Sequence, residues 1–195
     1  MSRVAETARR DPGFHPSTSS PFNLRTLYVL CRILRPAWVV ETGVASGASS
    51  WVLLTALSKN GKGGLRSIDL PPSQWEPAKS AYKEIDPVSL PAHRKPGWLV
   101  PEPLRGRWQL ILGDAKAELP RLLEGLGRIE LFYHDAEHTR EAMLREFRAA
   151  WAHLASGGAL TSDDVGWNTA FDEFCAEVLP KEAGRWFSFG LVLKP

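Results

Sequence analysis

Apolar residues recur along this chain with two different periods. Over residues 22–34, FNLRTLYVLCRIL, Leu24, Leu27, Tyr28, Cys31 and Leu34 fall three and four positions apart, which predicts one apolar helical face. Pro36 then closes that helix, because a residue before proline is pushed out of the helical region. Short apolar runs follow: AWVVET at 37–42, LRSID at 65–69, WQLILGD at 108–114, IELFYHD at 129–135 and GALTSD at 158–163. Each reads as a buried strand. Helical spacing fills the intervals 48–59, 74–85, 115–124, 138–154 and 168–178. In 138–154, Met143, Phe147, Ala150, Trp151 and Leu154 line one side, and Arg140, Glu141, Arg145, Glu146 and Arg148 the other. Strands alternating with helices predict an α/β fold: a doubly wound, Rossmann-like, mostly parallel sheet with helices on both faces and a short N-terminal helical extension.

Three stretches fall outside the alternation. Residues 1–21 are polar, with Pro12, Pro16 and Pro21 and a Ser/Thr cluster at 17–20; they read as an N-terminal arm, leaving 22–195 as one domain. Between Asp86 and Arg107 stand Pro87, Pro91, Pro96, Pro101 and Pro103 with little periodicity, the composition of a lid or a solvated loop. The last residues, RWFSFGLVLKP, are β-prone. They leave room for a short closing hairpin or for one strand fewer.

Composition narrows the function classes. A chain of 195 residues suits a single domain at ~150 residues each. Its 24 Lys+Arg stand against 22 Asp+Glu, far from the basic excess of a nucleic-acid binder. Two cysteines, Cys31 and Cys175, are too few for a disulfide framework and fit a reducing, cytoplasmic setting. No apolar run reaches the ~18 residues of a membrane span, and the first twenty residues show no apolar signal core. Self-association into a homo-oligomer stays open.

In open α/β sheets ligands bind outside the carboxyl ends of the strands. After the first strand comes Glu41-Thr42-Gly43-Val44-Ala45-Ser46-Gly47-Ala48-Ser49-Ser50. This is either a ligand turn feeding amides to a helix N-terminus or a plain strand–helix turn. It is neither a dinucleotide fingerprint nor a P-loop. Asp69, after the second strand, suits the two hydroxyls of a ribose or a loop charge. Asp114, before Ala115, suits an adenine amino group or an N-cap. His134-Asp135-Ala136-Glu137-His138 and Ser162-Asp163-Asp164 end the next two strands. If adjacent strands bring Asp135, Asp163 and Asp164 together, carboxylates ~4 Å apart repel by about 4 kcal/mol at an effective dielectric of 20. A hard divalent cation such as Mg²⁺ relieves this. Otherwise Asp163 and Asp164 cap the following helix and point elsewhere.

Taken in order, VVETGVASGASS, SIDLP, ILGDA, FYHDAEHTREAM and GGALTSDDVGWNTAF resemble the class I S-adenosylmethionine-dependent methyltransferases. Within that class they are most similar to the small metal-dependent branch of catechol-type and antibiotic sugar O-methyltransferases, a pattern shared by cephalosporin-hydroxylase-like proteins. The resemblance implies that Glu41 orients the methionine end of the cofactor and that Gly43, Ala45 and Gly47 form its turn. It implies Ser49 at the methionine carboxylate, Asp69 at the ribose, and Asp114 and Ala115 beside the adenine. It also implies Asp135, at the cofactor's edge, as a Mg²⁺ ligand with Asp163 and Asp164. The base would be Glu137, as in the sugar branch, or His138, as in the catechol branch. Ala45 stands where many relatives carry glycine. His134 reads as structural.

The implied reaction is methyl transfer to a small hydroxylated acceptor, a sugar or a catechol-like diol. Alignment of nucleophile and sulfonium supplies ~7–11 kcal/mol of such a barrier. A cation that lowers the pKa of bound water from ~15.7 to ~7 would also acidify a coordinated hydroxyl. The alternative function is a non-catalytic S-adenosylmethionine-binding module or a subunit of a biosynthetic complex.

Overall fold

The structure, a computed structural model, describes residues 20–70, 90 and 94–195. The helix expected at 74–85, the arm up to residue 19 and the first part of the proline-rich stretch lie outside these residues. Helix α1, Pro21–Leu34, starts one residue inside the expected arm. Ser20 caps it by accepting from the Asn23 N–H, and Pro21 takes the first turn, where a missing N–H costs nothing. The alternation then follows as expected: β1 Trp38–Thr42, α2 Ala48–Asn60, β2 Gly64–Asp69, a 3-10 turn Glu102–Arg107, β3 Trp108–Leu112, α3 Ala115–Leu126, β4 Ile129–His134, α4 Arg140–His153, β5 Leu154–Ser162 and α5 Ala170–Val178. Strands β6, Glu182–Trp186, and β7, Phe189–Leu193, close the chain.

The seven strands lie in the order β3-β2-β1-β4-β5-β7-β6. Strands β1 to β5 run parallel, and β7 runs antiparallel to both β5 and β6. Both strands of the closing hairpin are therefore present, joined by Phe187 and Ser188 alone. The sheet buries both faces, and the two-residue period assigns neighbours to opposite sides. Val40, Phe132 and Leu160 meet Met143, Phe147 and Phe174 on the α3–α4–α5 side. Val39, Leu131, Tyr133 and Ala159 meet Leu27, Cys31, Leu53 and Leu57 on the α1–α2 side.

Two of the boundary shifts have a clear local reason. Helix α4 starts at Arg140 because the Thr139 hydroxyl accepts from the Ala142 N–H, so His138 precedes the helix. Leu154 belongs to β5, whose pairing with β4 slips between Ile129 and Leu131; a bulge lets the strand begin before its glycines.

Candidate active site

The carboxyl ends of β1, β2, β3 and β4 form one rim. Glu41, fully buried at the end of β1, sets its foundation. Its Oε1 accepts from Ser49 Oγ at 2.6 Å, and its Oε2 accepts from Ser50 Oγ at 2.6 Å and Ser67 Oγ at 2.7 Å. Burial pushes the Glu41 carboxyl above its ordinary range, against the three hydroxyls and with the Asp69 charge adding to the rise. This carboxyl thus ties β1 to β2 and to the first turn of α2. The Ser49 hydroxyl, which the resemblance places at a cofactor carboxylate, donates to Glu41.

The turn above Glu41 is shaped by close backbone approach. Gly43 has φ of 82°, and a Cβ there would fall 1.8 Å from the Asp135 carbonyl oxygen. Gly47 has φ of 90°, and its Cβ would fall 2.7 Å from Gly97 Cα. Both glycines thus make room for the protein's own chain. Gly97 and Leu99 donate their N–H groups to the Ala45 and Ser46 carbonyls at 2.8 and 3.0 Å. The end of the proline-rich stretch therefore lies over the turn, a contact with no local signature in sequence. Ala45 adopts a left-handed φ of 44°, an unfavourable conformation for a residue with a Cβ. It is pinned there by Gly97 on one side and by Asp69 Oδ2, which accepts from the Ala45 N–H at 3.1 Å, on the other.

Asp69 and Asp114 continue the rim. Burial pushes the Asp69 carboxyl up to about 6, while backbone N–H bonds from Val44, Ala45 and Leu70 pull the other way. Gly43, Ala45 and Asp69 each keep part of their surface open. Asp114 is the N-cap of α3, accepting from the Lys116 N–H at 2.8 Å, and Ala115 follows it in the helix.

Asp135 leaves β4 directly against Gly43. Its Oδ2 accepts from the Tyr133 hydroxyl at 3.0 Å, and its Oδ1 lies 3.9 Å from His138 Nε2. His138 is buried, with its ring 5.3 Å from that of His134 and 5.1 Å from that of Trp167. Glu137 faces solvent and accepts from the Thr139 hydroxyl at 2.9 Å. His134 is structural, as expected: buried, with Nδ1 3.0 Å from Glu146 Oε2. Glu146, assigned to the polar side of α4 by sequence, is itself buried. Its spacing after Met143 and before Ala150 carries the signal, since three and four residues share a face.

The expected metal trio is not assembled. Asp163 Oδ1 accepts from Asn23 Nδ2 at 2.8 Å, the Asp164 N–H at 2.9 Å and Ser188 Oγ at 3.0 Å. Asp164 takes a left-handed φ of 49°. Among the described residues no group of three His, Cys, Asp or Glu side chains is placed to hold a metal ion. The described residues thus offer no set of side chains that fits a resident divalent cation, and Asp163 Oδ1 already accepts from three donors of the protein.

A parallel sheet ending in an antiparallel hairpin, with a glycine turn after β1 and acids after β2 and β4, defines a Rossmann-like methyltransferase fold. A family profile described as a methyltransferase domain matches residues 40–165, and the chain belongs to that family. Among curated protein sequences none matches. Solved structures resemble it at low identity. The O-methyltransferase from Bacillus cereus, in complex with SAH, is 16% identical with a TM-score of 0.69, over 100% of this chain and 91% of that one. TomG from Streptomyces achromogenes, an O-methyltransferase involved in tomaymycin synthesis and solved with SAM, is 15% identical with a TM-score of 0.68, over 100% and 91%. MycE of the mycinamycin pathway, solved with Mg and SAH, is 14% identical with a TM-score of 0.60, over 98% of this chain and 54% of that one. At these identities the likeness is one of fold. No helix among the described residues is long and apolar enough to cross a membrane.

Proposed function

We propose that this methyltransferase-domain protein moves the methyl group of S-adenosylmethionine to a hydroxyl of a small molecule. The carrying observation is the open rim of Gly43, Ala45 and Asp69 beside the Asp135 carboxylate. In this reading Asp69 accepts the cofactor's ribose hydroxyls, and Asp114 and Ala115 border its base. The bound cofactor supplies an electrophilic methyl on a sulfonium. Asp135 Oδ1 takes the proton as the acceptor's O–H bond breaks, and the oxygen forms its bond to the methyl carbon. The methyl–sulfur bond breaks with its electron pair going to sulfur, so the sulfonium leaves as a neutral thioether. His138 and the Tyr133 hydroxyl hold the Asp135 carboxylate in place.

No step runs through a cation, since the donor set does not fit one. The reading therefore expects transfer to persist in excess chelator. A second reading, cofactor binding without transfer, draws on the same unassembled acidic trio. Calorimetry with S-adenosylhomocysteine, followed by a mass-spectrometric screen for methylated catechols and polyols, separates the two. Binding with a methylated acceptor supports transfer, and binding with no acceptor in the screen favours the module. Failure to bind the cofactor would overturn both. A catechol or sugar diol is the acceptor class proposed, and self-association and a cytoplasmic setting stand as part of the same proposal.

A further inference from the structure

At the opposite end of the sheet, the amino ends of β1, β2 and β3 border an open cleft of about 490 Å³, within the size range of small-ligand sites. Its walls include Trp38, Lys62, Arg66, Arg107, Trp108 and Gln109, and no Asp or Glu among the described residues lines it. Three cations thus share one concave surface. None of them forms an ion pair with a described residue. Glu130 is turned to the backbone N–H groups of Ala37 and Trp38 and to Arg128.

The three cations play different parts. The Arg66 guanidinium lies 4.3 Å over the Trp38 ring, and one of its N–H donors reaches the Leu65 carbonyl at 3.1 Å. Stacking on an indole holds such a group without neutralising it, and partial burial lowers its pKa. Arg107 donates to the Gly63 and Gly61 carbonyls at 3.1 and 3.2 Å, which fixes the turn after α2. Lys62 is exposed on that turn. A partly desolvated cation with no counter-charge is unfavourable unless an anion completes it. Two partly buried guanidiniums and the exposed Lys62 ammonium around a cleft too large for one phosphate suit a ligand with two.

We infer that this cleft binds a small diphosphate-bearing anion, at a site separate from the methyl-transfer rim. The inference does not rest on the proposed function. It is tested by titrating the protein, with and without S-adenosylhomocysteine, with inorganic pyrophosphate and with ADP, following tryptophan fluorescence and calorimetry. Both probes are expected to bind, more weakly as salt rises. Arg66→Gln and Lys62→Gln are each expected to lower affinity about tenfold, the scale of a lost charge-assisted contact. Circular dichroism and the urea midpoint check the fold of each variant. Tighter binding of ADP than of pyrophosphate means that a nucleoside is read as well; equal binding means that the diphosphate alone is. No binding at millimolar probe, or affinities unmoved by both substitutions, overturns the inference. So does binding seen only when S-adenosylhomocysteine is absent.

Discussion

Replacing Glu41 separates a structural carboxylate from a ligand-binding one. In the Glu41→Ala variant the hydroxyls of Ser49, Ser50 and Ser67 lose their acceptor in a site closed to water. Each buried donor left unmade costs ~1–3 kcal/mol, so roughly 3–9 kcal/mol is expected for the three. That is a large part of the ~5–15 kcal/mol that holds an ordinary domain together. Glu41→Gln keeps the volume and one acceptor oxygen. Placed where Oε2 stands, that oxygen still serves Ser50 and Ser67, and only Ser49 must reorient, for about 1 kcal/mol. The sign with pH also follows. Burial raises the folded pKa of Glu41, so its contribution is full below the unfolded pKa and is lost as pH rises through the folded one. The parent's advantage over Glu41→Gln is therefore largest in acid and narrows toward neutrality. Urea unfolding of the parent and both variants at several pH values measures this, and calorimetry with S-adenosylhomocysteine reads the cofactor side. Because neither oxygen reaches the open side of the turn, Glu41→Gln should bind the cofactor product as the parent does. A Glu41→Ala variant within about 1 kcal/mol of the parent would refute the reasoning, as would a folded Glu41→Gln variant that has lost cofactor binding.

Other expectations rest on different parts of the rim. Gly43→Ala places a Cβ 1.8 Å from the Asp135 carbonyl, so β1 and β4 must separate; a loss of several kcal/mol is expected in urea unfolding. Ala45→Gly relieves a left-handed alanine but frees the unfolded chain, and a net gain of about 0.5 kcal/mol should appear as a higher Tm. Asp69 titrates at about 6, so S-adenosylhomocysteine affinity should weaken as pH falls below 6, and Asp69→Asn should remove that dependence in calorimetry. Asp135→Asn should abolish methyl transfer while S-adenosylhomocysteine still binds; transfer at the parent's rate would exclude Asp135 as the proton acceptor.

The fold was legible because it follows from two periods. Val39 and Val40 already announce opposite faces, and each helix repeats its apolar residues at three and four. The hairpin was less so. Its turn is Phe187-Ser188, with Phe187 at φ of 55°, where a tight hairpin favours glycine or asparagine; no turn signal marks it. The rim was legible in part. Gly43, Asp69 and Asp135 stand where strand ends put them. Tyr133 was also within reach, since two residues along a strand share a face and its hydroxyl meets Asp135. The cover that Gly97 and Leu99 lay over the turn arises between segments about fifty residues apart, and nothing local in either segment encodes it.

The acidic trio shows why adjacency in sequence and in strand order does not make a metal centre. Repulsion between carboxylates calls for a cation only where their oxygens meet. At the end of β5 the backbone removes that condition: Asp164 takes a left-handed turn and donates its own N–H to Asp163. The two remaining donors come from Asn23 in α1 and from Ser188 in the hairpin turn. One buried oxygen thereby joins the first helix, the fifth strand and the closing hairpin. Asp163 thus serves the long-range contacts that hold α1 and the hairpin to the carboxyl end of β5.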